Sequence, residues 1–440
     1  MNDSKDLNSQ EQRWLDLLAQ YLIPRGWSAD YSCKKYWQLI QENGKENGKE
    51  DTTESTIKRF LDKLEKQGFI EIKRRTPPAP NHISLKHYKY HGVCLTGAVP
   101  LNSPLYIKRG ADELCKQYMS KYSYGSIIPF IRIKAARETG KTSLLIRLKK
   151  FLQDEQQCKV ILVDINTFDH RVLNDENETQ FFNTFTESIL SGLKEKQHSN
   201  FGNTAFSELP AAQRCTYVLE PIFHKLKDVV LLIDGVDRTL RSPTLKTTFT
   251  GFLRTWYEYK MKMIDETAPL SWARIAIAYS TDPYTENNIR DSPLDNVGTL
   301  VDLEEFTADQ IDNLSRIYGL DWNSDYIFEL MELVGGHPYL INLALYEFSV
   351  KKLNKLDDLV NRAISENSPF INHLRKCMNV IEQSEDLSNS IRKLLNGQQI
   401  DRKSEFHLTM LGIVKQNNKS GDIEIRCSLY KRYFKSAFRA

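Results

Sequence analysis

The sequence predicts an α/β protein with a three-layer core, a parallel sheet between helices, that carries a helical lid and is flanked by a winged-helix segment at each end. Three observations lead there. Between Phe130 and Leu303, apolar strand-like runs alternate with amphipathic helical stretches, the pattern of a parallel sheet with helical crossovers. Two motifs rich in glycine and aspartate stand at strand ends within that alternation. On the N-terminal flank, helices lead into a short, basic hairpin-like run. The expected divisions are 1–90 for the N-terminal winged helix, 91–305 for the core, 306–372 for the lid and 373–440 for the C-terminal winged helix.

In chain order, the stretch Glu11 to Gln41 supplies helices around Trp14, Leu15, Leu18, Tyr36 and Trp37. From Thr52 to Gly68, the residues Ile57, Phe60, Leu61 and Leu64 share one helical face and a glycine stops the helix. Arg59, Lys63 and Lys66 share the other face. A basic β-like run, Phe69 to Arg75, follows, and then Pro77, Pro78 and Pro80. If this module meets double-stranded DNA, Ser55, Arg59, Lys63 and Lys66 face the major groove and Lys73, Arg74 and Arg75 contact phosphates. If it binds protein, the lysines are a solvated face, and Glu54, Asp62 and Glu65 dilute the positive field. The polar duplication from Glu42 to Glu50 reads as a loop. His82, His87 and His91 have no cysteine or carboxylate at a metal-site spacing and predict no metal.

The core begins with the strand Phe130 to Ile133, and then the run Ala135-Ala136-Arg137-Glu138-Thr139-Gly140-Lys141-Thr142-Ser143. It fits the pattern [AG]-x-x-x-x-G-K-[ST] between a strand and a helix. Successive N–H groups turn inward on the β- and γ-phosphates of a nucleotide, Gly140 has no Cβ to obstruct them, and the helix adds its positive end. Lys141 reaches the phosphate oxygens and the Thr142 hydroxyl is placed to ligate Mg2+. The strand Asp228 to Ile233 then delivers Asp234 at its carboxyl end, where it orients water on that ion.

Gly235 stands where many such sites carry a glutamate that polarises the attacking water. Asp237 is therefore the candidate water-positioning carboxylate, Arg238 a candidate charge stabiliser, and hydrolysis is expected to be slow or absent. Further strands are expected at Lys159 to Asp164, Arg274 to Tyr279 and Leu300 to Leu303. Ser280 or Thr281, after the second of these, is placed to read a γ-phosphate or to form a plain turn. Thr307-x-x-Gln310 is a capping box that opens the lid.

The lid carries Val334-Gly335-Gly336-His337-Pro338-Tyr339-Leu340, and with it the chain resembles an AAA-like ATPase domain common in cyanobacterial multidomain proteins, related to the STAND and AAA+ P-loop ATPases. The resemblance rests on Val99 to Arg109, on IKAARETGKTSLL, DGVDR and GGHPYL, and on Cys427 to Phe434. It implies an ASCE-type P-loop NTPase core, ATP or ADP with Mg2+ as ligands, and a nucleotide-dependent switch. It also implies that Gly336, His337 and Pro338 lie against the base, that Tyr106 to Arg109 closes over the adenine, and that Phe406 to Phe434 is a terminal winged helix. A glutamate after the Walker B aspartate is what the family often has and this chain lacks. Origin-recognition ATPases, which close around duplex DNA, offer a second reading, and a nucleotide-holding scaffold a third.

Composition narrows the classes. The 440 residues carry a net charge of +3, too small to argue for nucleic acid by itself. No run approaches the roughly 18 apolar residues of a membrane helix, and the N-terminus has no signal-peptide pattern, so a cytoplasmic protein without membrane association is expected. The seven cysteines are scattered and predict neither disulfides nor zinc. No effector domain is visible, which makes a protein partner or effector, or assembly into a homo-oligomer, the expected route of any signal.

Overall fold

The computed structural model describes residues 7–44, 53–75, 80–92, 94, 96–120, 130–194, 208–226, 228–262, 273–280, 294, 296–350, 353, 355–417 and 420–438. Thr281, Pro77, Pro78 and most of the Glu42 to Glu50 duplication lie outside them. The chain forms two compact units. One comprises Met1–Lys108, Phe306–Glu332 and Leu340–Ala363, the other Arg109–Glu305, Leu333–Tyr339 and Ile364–Ala440. In this grouping the N-terminal segment falls with most of the helices of residues 306–372, and most of residues 91–305 fall with the C-terminal segment.

In the first unit, helices Ser9–Leu22, Cys33–Gly44 and Glu54–Lys66 pack with strands β1 (Ser28–Tyr31), β2 (Ile70–Lys73) and β3 (Asn81–Leu85). The strands form an antiparallel sheet in the order β1-β3-β2. Asn8 and Glu11 close a capping box on the first helix, and Thr53 caps the third. Buried Trp14, Leu18, Ile57, Phe60, Leu64, Ile70 and Ile83 make the core, with Trp14 edge-on to Phe60 at 5.2 Å. β1 has no counterpart among the expected elements. Its four residues, SADY, alternate polar and apolar but are too short a run to announce a strand.

The same unit holds helix Ala308–Ile317, opened by the expected capping box of Thr307 and Gln310. The Trp27 indole N–H donates to Asn313 Oδ1 at 2.6 Å, and the Arg316 guanidinium lies 4.5 Å from the Trp27 ring centroid. Tyr90 N–H donates to the Ile317 carbonyl at 2.8 Å, and Lys89 Nζ to that of Ser349 at 3.0 Å.

The second unit is built on strands β4 (Phe130–Lys134), β5 (Lys159–Asp164), β6 (Val229–Asp234), β7 (Arg274–Tyr279) and β8 (Thr299–Asp302). They pair in parallel in the order β5-β6-β7-β4-β8. Side chains alternate between two cores. Val229, Leu231, Ile233, Ile275 and Ile277 face one, with helices Glu178–Leu193, Ala211–Leu226 and Pro243–Lys262, while Val230, Leu232, Ala276 and Ala278 face the other, with helices Gly110–Met119 and Lys141–Asp154. β6 and β7 are buried throughout, which explains why both read as unbroken apolar runs. This is the three-layer α/β P-loop core that the sequence predicts. Phe181, Phe182, Phe185, Phe249, Phe252 and Trp256 interlock on the first face, the last two at 4.3 Å between centroids.

Beyond the sheet, helices Ile371–Glu382, Glu385–Leu395 and Arg402–Met410 lead to the hairpin β9 (Val414–Gln416) and β10 (Ile423–Ile425) and to helix Ser428–Ala437. Cys115, Cys158, Cys215, Cys377 and Cys427 are buried free thiols. Among the described residues, no helix is long and apolar enough to cross a membrane, and no cluster of His, Cys, Asp and Glu could hold a metal.

Candidate nucleotide site

β4 ends at Lys134 and the next helix begins at Lys141, so the residues between them form a loop at the carboxyl edge of the sheet. Glu138 (φ 60°) and Gly140 (φ 102°) are left-handed, an alternation that turns successive N–H groups toward one side. For glycine this is free. For Glu138 it costs about 1 kcal/mol, which neighbours must supply. A Cβ at Gly140 would stand 2.9 Å from Arg109 Nη2, the movable end of a long side chain, so the left-handed backbone and not space is what calls for glycine here.

Lys141 is buried, and its ammonium donates to the carbonyls of Ala136 at 2.7 Å and Ala135 at 3.1 Å. Burial lowers its pKa to about 8, against the pull of Asp237 and Asp234. Thr142 Oγ1 donates to Asp234 Oδ2 at 2.5 Å, and Gly235 N–H donates to Asp234 Oδ1 at 2.9 Å. Burial raises the Asp234 pKa; the Thr142 hydrogen bond opposes this, and the nearby Asp164 charge adds to it. Asp164 stands in register with Asp234 across the β5-β6 pair. Thr139 Oγ1 donates to the Ala136 carbonyl at 2.7 Å, and Ser143 is buried in the first helical turn.

Gly235 is left-handed (φ 74°), and a Cβ there would lie 2.5 Å from Asn166 Nδ2. The departure from glutamate is therefore built into the backbone, since the exposed Asn166 side chain beside it can turn away. Asp237 Oδ1 accepts the Ser280 N–H at 3.1 Å, tying the turn after β6 to the end of β7. Arg238 Nη1 donates to the carbonyls of Asn166 (2.8 Å), Phe168 (3.2 Å) and Ile165 (3.3 Å), so its charge is directed at the loop after β5.

Arg109 comes to the loop, donating to the carbonyls of Thr139 (2.9 Å) and Glu304 (3.0 Å). Tyr106 belongs to the first unit. His337 is fully buried and its Nε2 lies 3.2 Å from the Arg137 carbonyl. Burial, with the His373 charge, takes its pKa down to about 3, so it is a neutral imidazole that donates to the phosphate loop. Pro338 begins the following helix.

The sequence reading missed four contributors. Asn166 lies beside Gly235, Asp164 stands beside Asp234, and His373 and Lys376 grip Glu138. His373 Nδ1 lies 2.5 Å from Glu138 Oε2 and Lys376 Nζ 2.9 Å from Oε1. No local pattern announces a helix residue more than two hundred positions from its partner.

In the first unit, the helix face singled out for nucleic acid is partly committed to carboxylates. Lys63 pairs with Glu11 at 2.6 Å, Arg74 with Glu65 at 2.7 Å and Asp62 at 3.6 Å, and Arg75 with Asp30 at 3.0 Å. Ser55, Arg59, Lys66 and Lys73 are exposed.

The donor set fits a nucleotide with a hard cation. A hydroxyl and a carboxylate sit side by side, a buried ammonium is one residue away, and a glycine-dependent cradle of N–H groups precedes them. No curated protein matches the chain. Among solved structures, it is similar to the Aeropyrum pernix ORC2 protein (14% identity, 75% of this chain and 94% of that chain, TM-score 0.43). Others are Cdc6p from Pyrobaculum aerophilum (13%, 76% and 97%, 0.37) and domain III of the Thermotoga maritima replication initiation protein DnaA (14%, 58% and 91%, 0.33). The profile of the AAA-like domain matches residues 94–436, which take in the whole sheet, the phosphate loop and the Asp234 strand, and the chain belongs to that family.

Proposed function

We propose that this protein binds ATP with Mg2+ at the Ala135 to Ser143 loop and works as a nucleotide-dependent switch whose hydrolysis is slow or waits on a partner. The observation that carries the reading is the 2.5 Å approach of Thr142 Oγ1 to Asp234 Oδ2, made by residues 92 positions apart. Thr142 would hold the ion directly and Asp234 through water, and the ion would offset phosphate charge. An ammonium has three N–H donors, and two of those on Lys141 go to loop carbonyls, which leaves one to meet a phosphate oxygen. Gly235 supplies no carboxylate, and Asp237 keeps one oxygen on Ser280, so water activation rests on a group already engaged.

The test is binding of fluorescently labelled ATP with and without Mg2+, alongside phosphate release. Lys141→Ala is expected to weaken binding by about a hundredfold or more, through loss of a charge-assisted contact in a buried site. Asp234→Asn is expected to weaken the Mg2+ dependence. Unchanged affinity in Lys141→Ala would refute the site.

A second reading, contact with duplex DNA through the Glu54–Lys66 helix, is supported by the exposed Arg59 and Lys66 on one face of it and by Lys73 in the following hairpin. The order helix, strand, helix, helix, closed by a hairpin, supports reading this segment as a winged helix. Self-assembly and a protein effector remain routes by which such a switch would signal.

A further inference from the structure

The second unit applies several side chains to the phosphate loop from outside the nucleotide machinery. Arg137 is met through its carbonyl by His337, and Ala136 lies 3.0 Å from where a Cβ on Gly412 would stand. Glu138 receives the strongest grip: His373 on one carboxylate oxygen and Lys376 on the other, both from helix Ile371–Glu382. His373 is itself held, since its Nε2 lies 2.7 Å from the Tyr430 hydroxyl on helix Ser428–Ala437. Its side chain is 4% exposed, and the partly shielded Glu138 carboxylate is 25% exposed.

Glu138 is also the loop residue whose backbone pays for its conformation. It is left-handed without being glycine, and the alternation that turns the N–H groups inward runs through it. We propose that His373 and Lys376 are positioning residues of the nucleotide site: they hold Glu138 left-handed, keep the phosphate-binding N–H groups converged, and so set how fast nucleotide leaves. The inference rests on the nucleotide reading above and deepens it. Helix Ile371–Glu382 and, through Tyr430, the C-terminal helix thereby bear directly on nucleotide exchange.

The experiment is stopped-flow dissociation of fluorescently labelled ATP, with Mg2+, from the full chain. Lys376→Gln is the first variant, because Lys376 is 65% exposed and its loss leaves the fold intact. Lys376→Gln is expected to speed release by up to about fivefold, the loss of a largely exposed ion pair, and Glu138→Gln by about tenfold, since it also weakens the buried bond to His373. Glu138→Gly separates positioning from general support. Glycine takes the left-handed conformation without the Cβ penalty, so this variant is expected to release nucleotide at a rate closer to the wild type than Glu138→Gln does. In the Glu138→Gly background, Lys376→Gln should then change the rate by less than about twofold. Wild-type binding with an unchanged rate in Lys376→Gln, or an undiminished Lys376→Gln effect in the glycine background, overturns the proposal and leaves the nucleotide reading standing. Absence of binding in the wild-type chain overturns both.

Discussion

At the scale of single residues, the site is shaped by positions where backbone and side chain make opposing demands. Gly235 and Gly140 take left-handed conformations, which a residue with a Cβ would adopt only under strain, beside the side chains of Asn166 and Arg109 respectively. Glu138 takes the same conformation and is compensated electrostatically. That compensation has a pH signature. Burial alone would push His373 down, but its bonds to Cys377 and Glu138 outweigh it and raise its pKa to about 9 from 6.5, while burial of Glu138 is outweighed by His373 and Lys376, which take its pKa down to about 2. The groups facing His373 are Glu138 from the loop, Cys377 from its own helix, Tyr430 from the C-terminal helix, Tyr339 and the neutral His337. A histidine whose folded pKa is raised contributes stability that is complete below its unfolded pKa and is lost as pH climbs through the folded one. The stability advantage of the wild type over His373→Asn should therefore shrink by about 3 kcal/mol between pH 6.5 and 9, at roughly 1.4 kcal/mol per pH unit. Urea unfolding at several pH values measures it. A constant difference across that range would show that His373 carries no charge in the folded chain.

At the scale of elements, the strands at the centre of the sheet were legible because burial on both faces leaves nothing but apolar residues in them, as in Val229 to Ile233 and Ile275 to Ala278. The edge strand β8 was legible to within a residue, at Thr299–Asp302 against an expected Leu300 to Leu303. Strand β1 escaped because its partner β3 lies more than fifty residues away, and antiparallel pairing at that range leaves no local trace. The same holds for the contact between the Trp27 turn and helix Ala308–Ile317. There the indole N–H meets Asn313 and the ring meets Arg316. Trp27→Phe retains an aromatic face for Arg316 but strands the Asn313 carbonyl, and it is expected to cost about 1–3 kcal/mol of stability. In an Asn313→Ala background the same substitution should cost less, since no acceptor is then left unpaired. Circular dichroism during urea unfolding of the four chains gives the coupling. Equal costs in both backgrounds would assign the effect of Trp27 to packing alone.

At the scale of the whole molecule, motifs of fixed spacing gave the phosphate loop, Asp234 and the α/β core directly, because each depends on residues close in sequence. What stayed hidden is what the chain brings together from afar, including the carboxylates that answer the basic residues of the first unit. Six positions there, Arg59, Lys63, Lys66, Lys73, Arg74 and Arg75, read as one electrostatic footprint. Three of them, Lys63, Arg74 and Arg75, are paired with Glu11, Glu65 and Asp30. Phosphate contacts by those three would have to break existing ion pairs, so they bring little net counterion release. Among the described residues, Arg59, Lys66 and Lys73 are exposed and form no ion pair, and the exposed Lys58 on the same helix joins them. If duplex DNA binds this unit, the slope of log affinity against log salt should be about −4, four contacts at roughly 0.9 each, and not the steeper value of about −6 that these four and the three paired residues would give together. Arg59→Ala should then flatten the slope by about one, whereas Arg75→Ala should leave it nearly unchanged. Fluorescence anisotropy of a labelled duplex between low and physiological salt reads all three numbers. A slope near zero would remove DNA as a partner and leave the helix face to a protein. A slope near −6 would mean that the ion pairs open on binding, and that Glu11, Glu65 and Asp30 compete with phosphate for the same side chains.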